Sequence, residues 1–265
     1  METANSSTKL TMSDPAELTT RVGDTFRAAI VAGLVAGVIV SLFHLLFTER
    51  LIDLAIAYEE ALGQGSPHET MVESVPRDIQ KGVGLVSGFL AYGLFLSFIY
   101  AVAFMLSQRL LPTSGAKSKA IVLAVMAYWH LALFPFLKYP ANPPAVGDPD
   151  TIAQRQGLFM AAMAVAFVGT VLAYSLNSFL QRNFRMTSRT TAALTLGFYA
   201  AYSIIAFLLL PSDEPTLSIP FELVLNFRML SILGLTMFWA ILGITFSLLA
   251  GRWKESLSSV LLSDR

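Results

Sequence analysis

Residues 130–151 read His130-Leu131-Ala132-Leu133-Phe134-Pro135-Phe136-Leu137-Lys138-Tyr139-Pro140-Ala141-Asn142-Pro143-Pro144-Ala145-Val146-Gly147-Asp148-Pro149-Asp150-Thr151. The stretch begins as the end of a hydrophobic helix. Then Pro140, Pro143, Pro144 and Pro149 fall within ten residues. Each fixes φ and removes a backbone donor, and each drives its predecessor towards an extended conformation. The segment is predicted to be a stiff extended connector. Asp148 reads as the N-cap of the next helix and Pro149 as its first residue. A chain that needed only a turn would not need four prolines, so the two apolar segments on either side are held apart on purpose.

Working outward, those flanking segments belong to a series. The chain is 55% apolar and 14% charged, with a mean hydropathy of +0.62, whereas a soluble domain carries about 25% charged residues. Apolar runs of about 20 residues recur along its length, the length needed to cross a bilayer as helix. The fold class is all-α, a polytopic transmembrane bundle of six spans at about 26–47, 82–106, 120–137, 157–180, 190–210 and 223–249. The helical pattern of the first span continues past its apolar end to about residue 62. Ala29, Gly33 and Gly37 repeat at spacing four in the first span, and Gly84 and Gly88 do so in the second. Such faces let helices approach closely. Residues 1–24 read as a disordered polar tail, 25–250 as the membrane domain and 251–265 as a second tail. The first apolar run is too long for the core of a cleavable signal peptide. The absence of cysteine excludes disulfides, thiolate metal sites and cysteine catalysis.

Charge gives the orientation. Twelve of the 18 Lys and Arg fall in the N-terminal flank, the 107–119 and 181–189 loops and the C-terminal tail. The positive-inside rule then places both termini in the cytoplasm of a multi-pass cell-membrane protein. Twelve of the 18 Asp and Glu fall on the opposite side, which makes the outer face an acidic basin that concentrates cations.

Within that basin, Glu49 and Asp53 are four apart and Glu60 lies on the same helix face. Like charges at that spacing repel; a divalent cation relieves this, and so does solvent with Arg50. His130 lies near the end of the third span and His44 about one turn inside the outer end of the first. Ionisable groups at membrane depth face a cavity or a partner, and imidazole suits first-row transition metals. A packing hydrogen bond is the competing role for each. His68, in the 63–81 loop, reads as solvated. Asp148 and Asp150 need no ligand as caps, yet each can present a free carboxylate oxygen. Arg228 is expected to be ion-paired with Glu222, Asp213 or Glu214. Motifs for zinc proteases, serine hydrolases, dinucleotide binding and phosphate loops are missing, so no enzyme activity, bound cofactor or nucleic-acid partner is expected. Any transport is passive, ion-coupled or driven by a partner.

Several of these residues together resemble the CbtA family of cobalt transporter subunits. They are Phe26-Arg27 with Ala32-Gly33-Leu34-Val35-Ala36-Gly37, then Phe47-Thr48-Glu49-Arg50-Leu51-Ile52 with Tyr58-Glu59. Above all they include Pro135 through Asp148, then Thr151-Ile152, Arg155 and Phe227-Arg228. The resemblance runs from about 26 to 250. It implies cobalt uptake linked to cobalamin supply and a small one-span partner, CbtB, that carries histidines. The family is usually described with five spans, against six here. Many relatives have a histidine-rich first outer loop, where this chain has His68 alone.

The expectation is therefore inward movement of Co²⁺ or a similar divalent cation through a lipid-embedded bundle. Its metal ligands would be His130 with Asp148 and Asp150, and His44 with Glu49 or Asp53. The rival reading is a non-transporting membrane scaffold, in which the glycine faces serve assembly and the acidic loops are solvated.

Overall fold

The computed structural model describes residues 15–62, 76–108, 115–184, 186–213 and 217–263, with side chains described except at 15–21, 149 and 251–263. Residues 63–75 of the first outer loop, His68 among them, and residues 1–14 of the first tail lie outside the described residues. Nine α-helices are present among those described. They are α1 (Pro15–Phe43), α2 (Glu49–Ala61), α3 (Arg77–Ile79), α4 (Leu85–Ser107), α5 (Ala116–Tyr128), α6 (Phe134–Lys138), α7 (Ile152–Asn183), α8 (Ser188–Leu209) and α9 (Phe221–Ser263). Single π-helical turns at His44–Thr48, Gln80–Gly84 and Trp129–Leu133 join α1 to α2, α3 to α4 and α5 to α6 without breaking the rod. Six continuous helices long and apolar enough to cross a membrane result: Val22–Ala61, Arg77–Ser107, Ala116–Lys138, Ile152–Asn183, Ser188–Leu209 and Phe221–Ala250. The protein is a multi-pass membrane protein. Helix extends beyond the expected spans at both ends, since α1 starts inside the predicted tail and α9 runs on to Ser263.

The core is a four-helix unit in the order α4–α1–α9–α5. Its tightest crossing joins α1 and α4, and glycine makes it. A Cβ on Gly33 would lie 2.4 Å from the Gly93 carbonyl oxygen, and one on Gly37 would lie 2.7 Å from that of Phe89. Ala28, Ala29, Ala32 and Ala36 are fully buried along the same face. Dispersion between closely apposed backbones drives such packing, because lipid is as apolar as the side chains. On the second span the structure corrects the expected face. Gly88 looks onto open space, and Gly93 is the residue that meets α1. Ser41 and Ser97, both buried here, bond to their own helix at the Val38 and Leu94 carbonyls, so neither hydroxyl is stranded.

The α7–α8 hairpin stands against the edge of this core, reached through α6 and the third π turn. The most apolar stretch of α8 has no fully buried residue; a half-buried stripe at Tyr199, Tyr202 and Ala206 packs inward and the rest of its surface is open. Polar staples tie the hairpin in. Trp129 Nε1 donates to the Tyr199 hydroxyl at 2.7 Å, and the Tyr202 hydroxyl donates to the Val165 carbonyl at 3.0 Å.

The proline connector lies where expected, between α6 and a 3₁₀ turn at Pro149–Thr151. It is not simply extended. Ala145 (φ 64°) and Gly147 (φ 87°) are left-handed and turn the chain back. Val146 forms an antiparallel bridge with Leu217 and packs with Ala55, Leu223 and Val224. The connector therefore caps the bundle at the end where α2 stops and α9 starts. The N-terminal part of α1 meets α4 at the opposite end, where Phe26 packs at a tilt against Phe98 and Phe104 of α4 meets Phe246 of α9 edge-on.

Candidate metal-binding column and its neighbours

At the connector end of the first span the helix makes a π turn starting at His44. A π turn inserts one residue into the helical repeat, and such turns occur often at functional sites. The His44 ring stacks on Phe89 (5.0 Å between centroids, 10° between planes) and meets Phe43 edge-on. The close crossing at Gly37 is what brings Phe89 near enough. His44 Nδ1 shares a 2.8 Å hydrogen bond with the Thr48 hydroxyl. Nε2 faces the α9 backbone, where a Cβ on Gly234 would sit 2.2 Å away. The imidazole is thus held on both faces by packing and along one edge by Thr48, and its other nitrogen is directed at the gap left by a glycine.

Directly above stands Glu49, 6% exposed, and one turn further Asp53. Their like charges are compensated from the second span. Arg77 donates to Glu49 at 2.6 Å and to Asp53 at 3.3 Å, and Lys81 donates to Asp53 at 2.6 Å. Two carboxylates at spacing four meet two cations at spacing four on the neighbouring helix. The network is neutral, and a buried carboxylate such as Glu49 requires that pairing. The sequence contained the signal, a matched pair of four-residue spacings at facing helix ends. By hydropathy alone both cations fall in the 63–81 loop, outside the second span.

His130 is 3% exposed and lies in the third π turn. Nδ1 donates to the Met126 carbonyl, and a carbonyl can only accept, so Nδ1 carries the proton. Nε2 then accepts from the Thr170 hydroxyl at 2.6 Å, and the ring stacks on Phe167 at 4.6 Å. Both nitrogens are engaged, and the residue clasps α7 to the third span.

In the connector, Asp148 accepts from the Asp150 amide at 2.9 Å and its backbone carbonyl accepts from Thr151 and Arg155. It caps the 3₁₀ turn, and α7 begins only at Ile152. Asp148 and Asp150 are both exposed. Arg155 fills the space beside Gly147, where a Cβ would lie 2.7 Å from its guanidinium, which explains a glycine at that left-handed position. Tyr139 donates to the Pro211 carbonyl at 2.8 Å; burial and the nearby Asp213 carboxylate push its phenol above the usual range. Arg228 differs from expectation. Its guanidinium grips the side-chain oxygen of Asn142 at 2.7 and 3.3 Å, and no carboxylate among the described residues lies within ion-pair distance. The connector itself supplies the partner.

Among the described residues, no three of the His, Asp and Glu side chains are grouped closely enough to hold a metal ion. His44, Glu49 and Asp53 share one helix end in a column, with Arg77 and Lys81 on the carboxylates. His130, Asp148 and Asp150 have separate partners and do not form a group. Phe89, Thr170 and Gly234 were hidden because nothing in the chain links them to their histidines, whereas Thr48 stands four residues from His44, a helical-neighbour spacing.

Comparison with known proteins gives one family. The sequence model of the family described as "Probable cobalt transporter subunit (CbtA)" matches residues 24–251, a range that takes in all six membrane-crossing helices but for the first two residues of the first. No curated protein and no solved structure matches the chain.

Proposed function

Because the chain belongs to the CbtA family, we propose that it carries the ion path of a cobalt transporter and moves Co²⁺ inward. A transporter subunit works with a partner. In this proposal the partner is a small one-span CbtB-like protein, and the uptake serves cobalamin supply. The observation that carries the reading is the column of His44, Glu49 and Asp53 at the connector end of an apolar span. Imidazole nitrogen and carboxylate oxygen together suit Co²⁺ and its first-row neighbours. Charge asymmetry supports placing the connector end outside, where twelve acidic residues raise the local cation concentration. Asp53, the wetter carboxylate, meets the ion first, and Glu49 and His44 follow inward. His130 serves here as the clasp between the third and fourth spans, and Asp148 and Asp150 shape the rim.

Uptake of radioactive cobalt by proteoliposomes, with the partner absent or present and with competing nickel or zinc, tests the proposal. Replacing His44 by Ala is expected to lower the rate about tenfold or more, the scale of a lost metal-site group. His130→Ala is expected to act on the amount of folded protein rather than on the rate per molecule. Normal uptake by His44→Ala would overturn the assignment of the column. Absence of cobalt uptake with and without partner would leave the scaffold reading in its place.

A further inference from the structure

The carboxylates of the column are already taken. Arg77 and Lys81 come from the start of the second span, 24 to 28 residues further along the chain, and they bridge two helix ends that approach side by side. We propose that Arg77 and Lys81 are tethered competitors for the transported cation. The cation loads the first span only by displacing them, and their release frees the beginning of the second span. This inference rests on the transport reading above and adds its specificity device.

Charge balance comes first. Glu49 and Asp53 together carry two negative charges, matched by one guanidinium and one ammonium. A single divalent cation replaces both partners and leaves the column neutral. A monovalent cation replaces one of them and offers the carboxylates nothing that the tethered group did not. The tethered pair therefore discriminates by charge before any ligand geometry acts.

The order of release follows from exposure. The Lys81 and Asp53 side chains are 32% and 43% exposed, so water and salt screen that pair. The Glu49 side chain is 8% exposed and its bond to Arg77 is the protected one. Arg77 nevertheless holds on by one arm. Both of its bonds come from the same terminal nitrogen, and its Nε is buried without a hydrogen-bond partner. A guanidinium gripping a carboxylate with both arms would be much harder to displace.

The backbone below each half of the network can move. Lys81 lies in the π turn Gln80–Gly84, and Glu49 follows directly on the π turn His44–Thr48. Closing a π turn to α geometry shifts the register of everything beyond it by one residue, about a 100° rotation of the side chains. Gly82 has no neighbour where a Cβ would be, so the turn itself is uncrowded at that position.

Hydrogen exchange read by mass spectrometry on the purified full chain in detergent tests the proposal without relying on transport. Amides of residues 76–85 are expected to exchange about fivefold faster in the Arg77→Gln/Lys81→Gln double variant, the scale of two partly exposed pairs. Cobalt chloride added to the unaltered protein is expected to produce the same change, while Arg77→Lys/Lys81→Arg, which keeps both cations, stays protected. Unchanged α1 and α9 amides report that each variant is folded. Unaltered exchange at 76–85 in the double Gln variant overturns the proposal, even with cobalt uptake intact. Faster exchange in that variant with no response to cobalt chloride also overturns it, and cobalt uptake by the same preparation then shows whether the transport reading falls with it. In uptake, Lys81→Gln is expected to lower the half-saturating cobalt concentration about fivefold, with Lys81→Arg restoring it. A purely structural lysine would reduce the maximal rate and leave that concentration alone.

Discussion

A glycine decides how His44 is used. Its imidazole lies between Phe89 and the α9 backbone, and a Cβ on Gly234 would come within 2.2 Å of Nε2. Gly234→Ala must therefore turn the ring or push α9 away, at the cost of overpacking, about 1–3 kcal/mol. The same substitution in a His44→Ala background meets empty space and is expected to cost close to nothing. Thermal unfolding of the four proteins of this cycle checks it, since contacting residues couple and distant ones add. An equal loss in both backgrounds would show that the clash is not with the imidazole. At this scale the sequence exposed half of each interaction. Glu49 and Asp53 were legible as a repelling pair, and His44 and His130 as ionisable groups at membrane depth. Their partners were not, because Arg77, Thr170 and Gly234 lie 28, 40 and 190 residues away along the chain. Only the fold brings them together. Arg228 follows the same pattern: among the described residues its partner is a neutral amide in the connector, Asn142, where a carboxylate was expected, and Glu214 lies outside the described residues.

Among elements, the α1–α4 crossing carries the site. It seats Phe89 against His44 and brings the Arg77–Lys81 end beside Glu49 and Asp53. A Cβ on Gly93 would lie 2.3 Å from the Gly33 carbonyl oxygen, and backbone cannot step aside as a side chain can. Gly93→Ala is expected to destabilise by about 2–3 kcal/mol and to weaken cobalt uptake through loss of the Phe89 contact. Gly88→Ala, on the same helix but facing open space, is expected to be neutral or slightly stabilising, because Ala is the better helix former. Unfolding midpoints for the two variants check this, and a Gly88 loss as large as that of Gly93 would put the crossing on the wrong face. The sequence showed that α4 has small residues at helical spacing. It did not show which of them meets α1, because an all-apolar helix has no polar side to mark its orientation. The π turns were also hidden. They change the register of a helix without changing its composition, and only the continuity of helix past Thr48 was readable.

For the whole molecule, the six spans were legible because length and hydropathy decide them in lipid, and the place of the connector because its prolines exclude helix. The division into a four-helix core and an attached α7–α8 hairpin was not, since lipid-facing and protein-facing helices are equally apolar. The attachment combines an apolar cluster around Phe134, Ala162 and Ala166 with a few polar contacts, among them that of the buried His130 with Thr170. Thr170→Val keeps the shape and removes the hydroxyl, leaving His130 Nε2 without its donor. In water such a stranded acceptor costs about 1–3 kcal/mol. Between membrane helices the net value averages about 0.6 kcal/mol, because the separated helices also find partners. The expected loss is therefore about 1 kcal/mol, and it should be local. Hydrogen exchange in α7 and α8 rises severalfold, while amides of α1, α4 and α9 keep their protection. Uptake by the folded protein stays near normal, because the column at His44 belongs to the core. Exchange rising equally in all six spans would mean that the hairpin and the core form one cooperative unit. Loss of uptake with the core still protected would place His130 on the ion path itself.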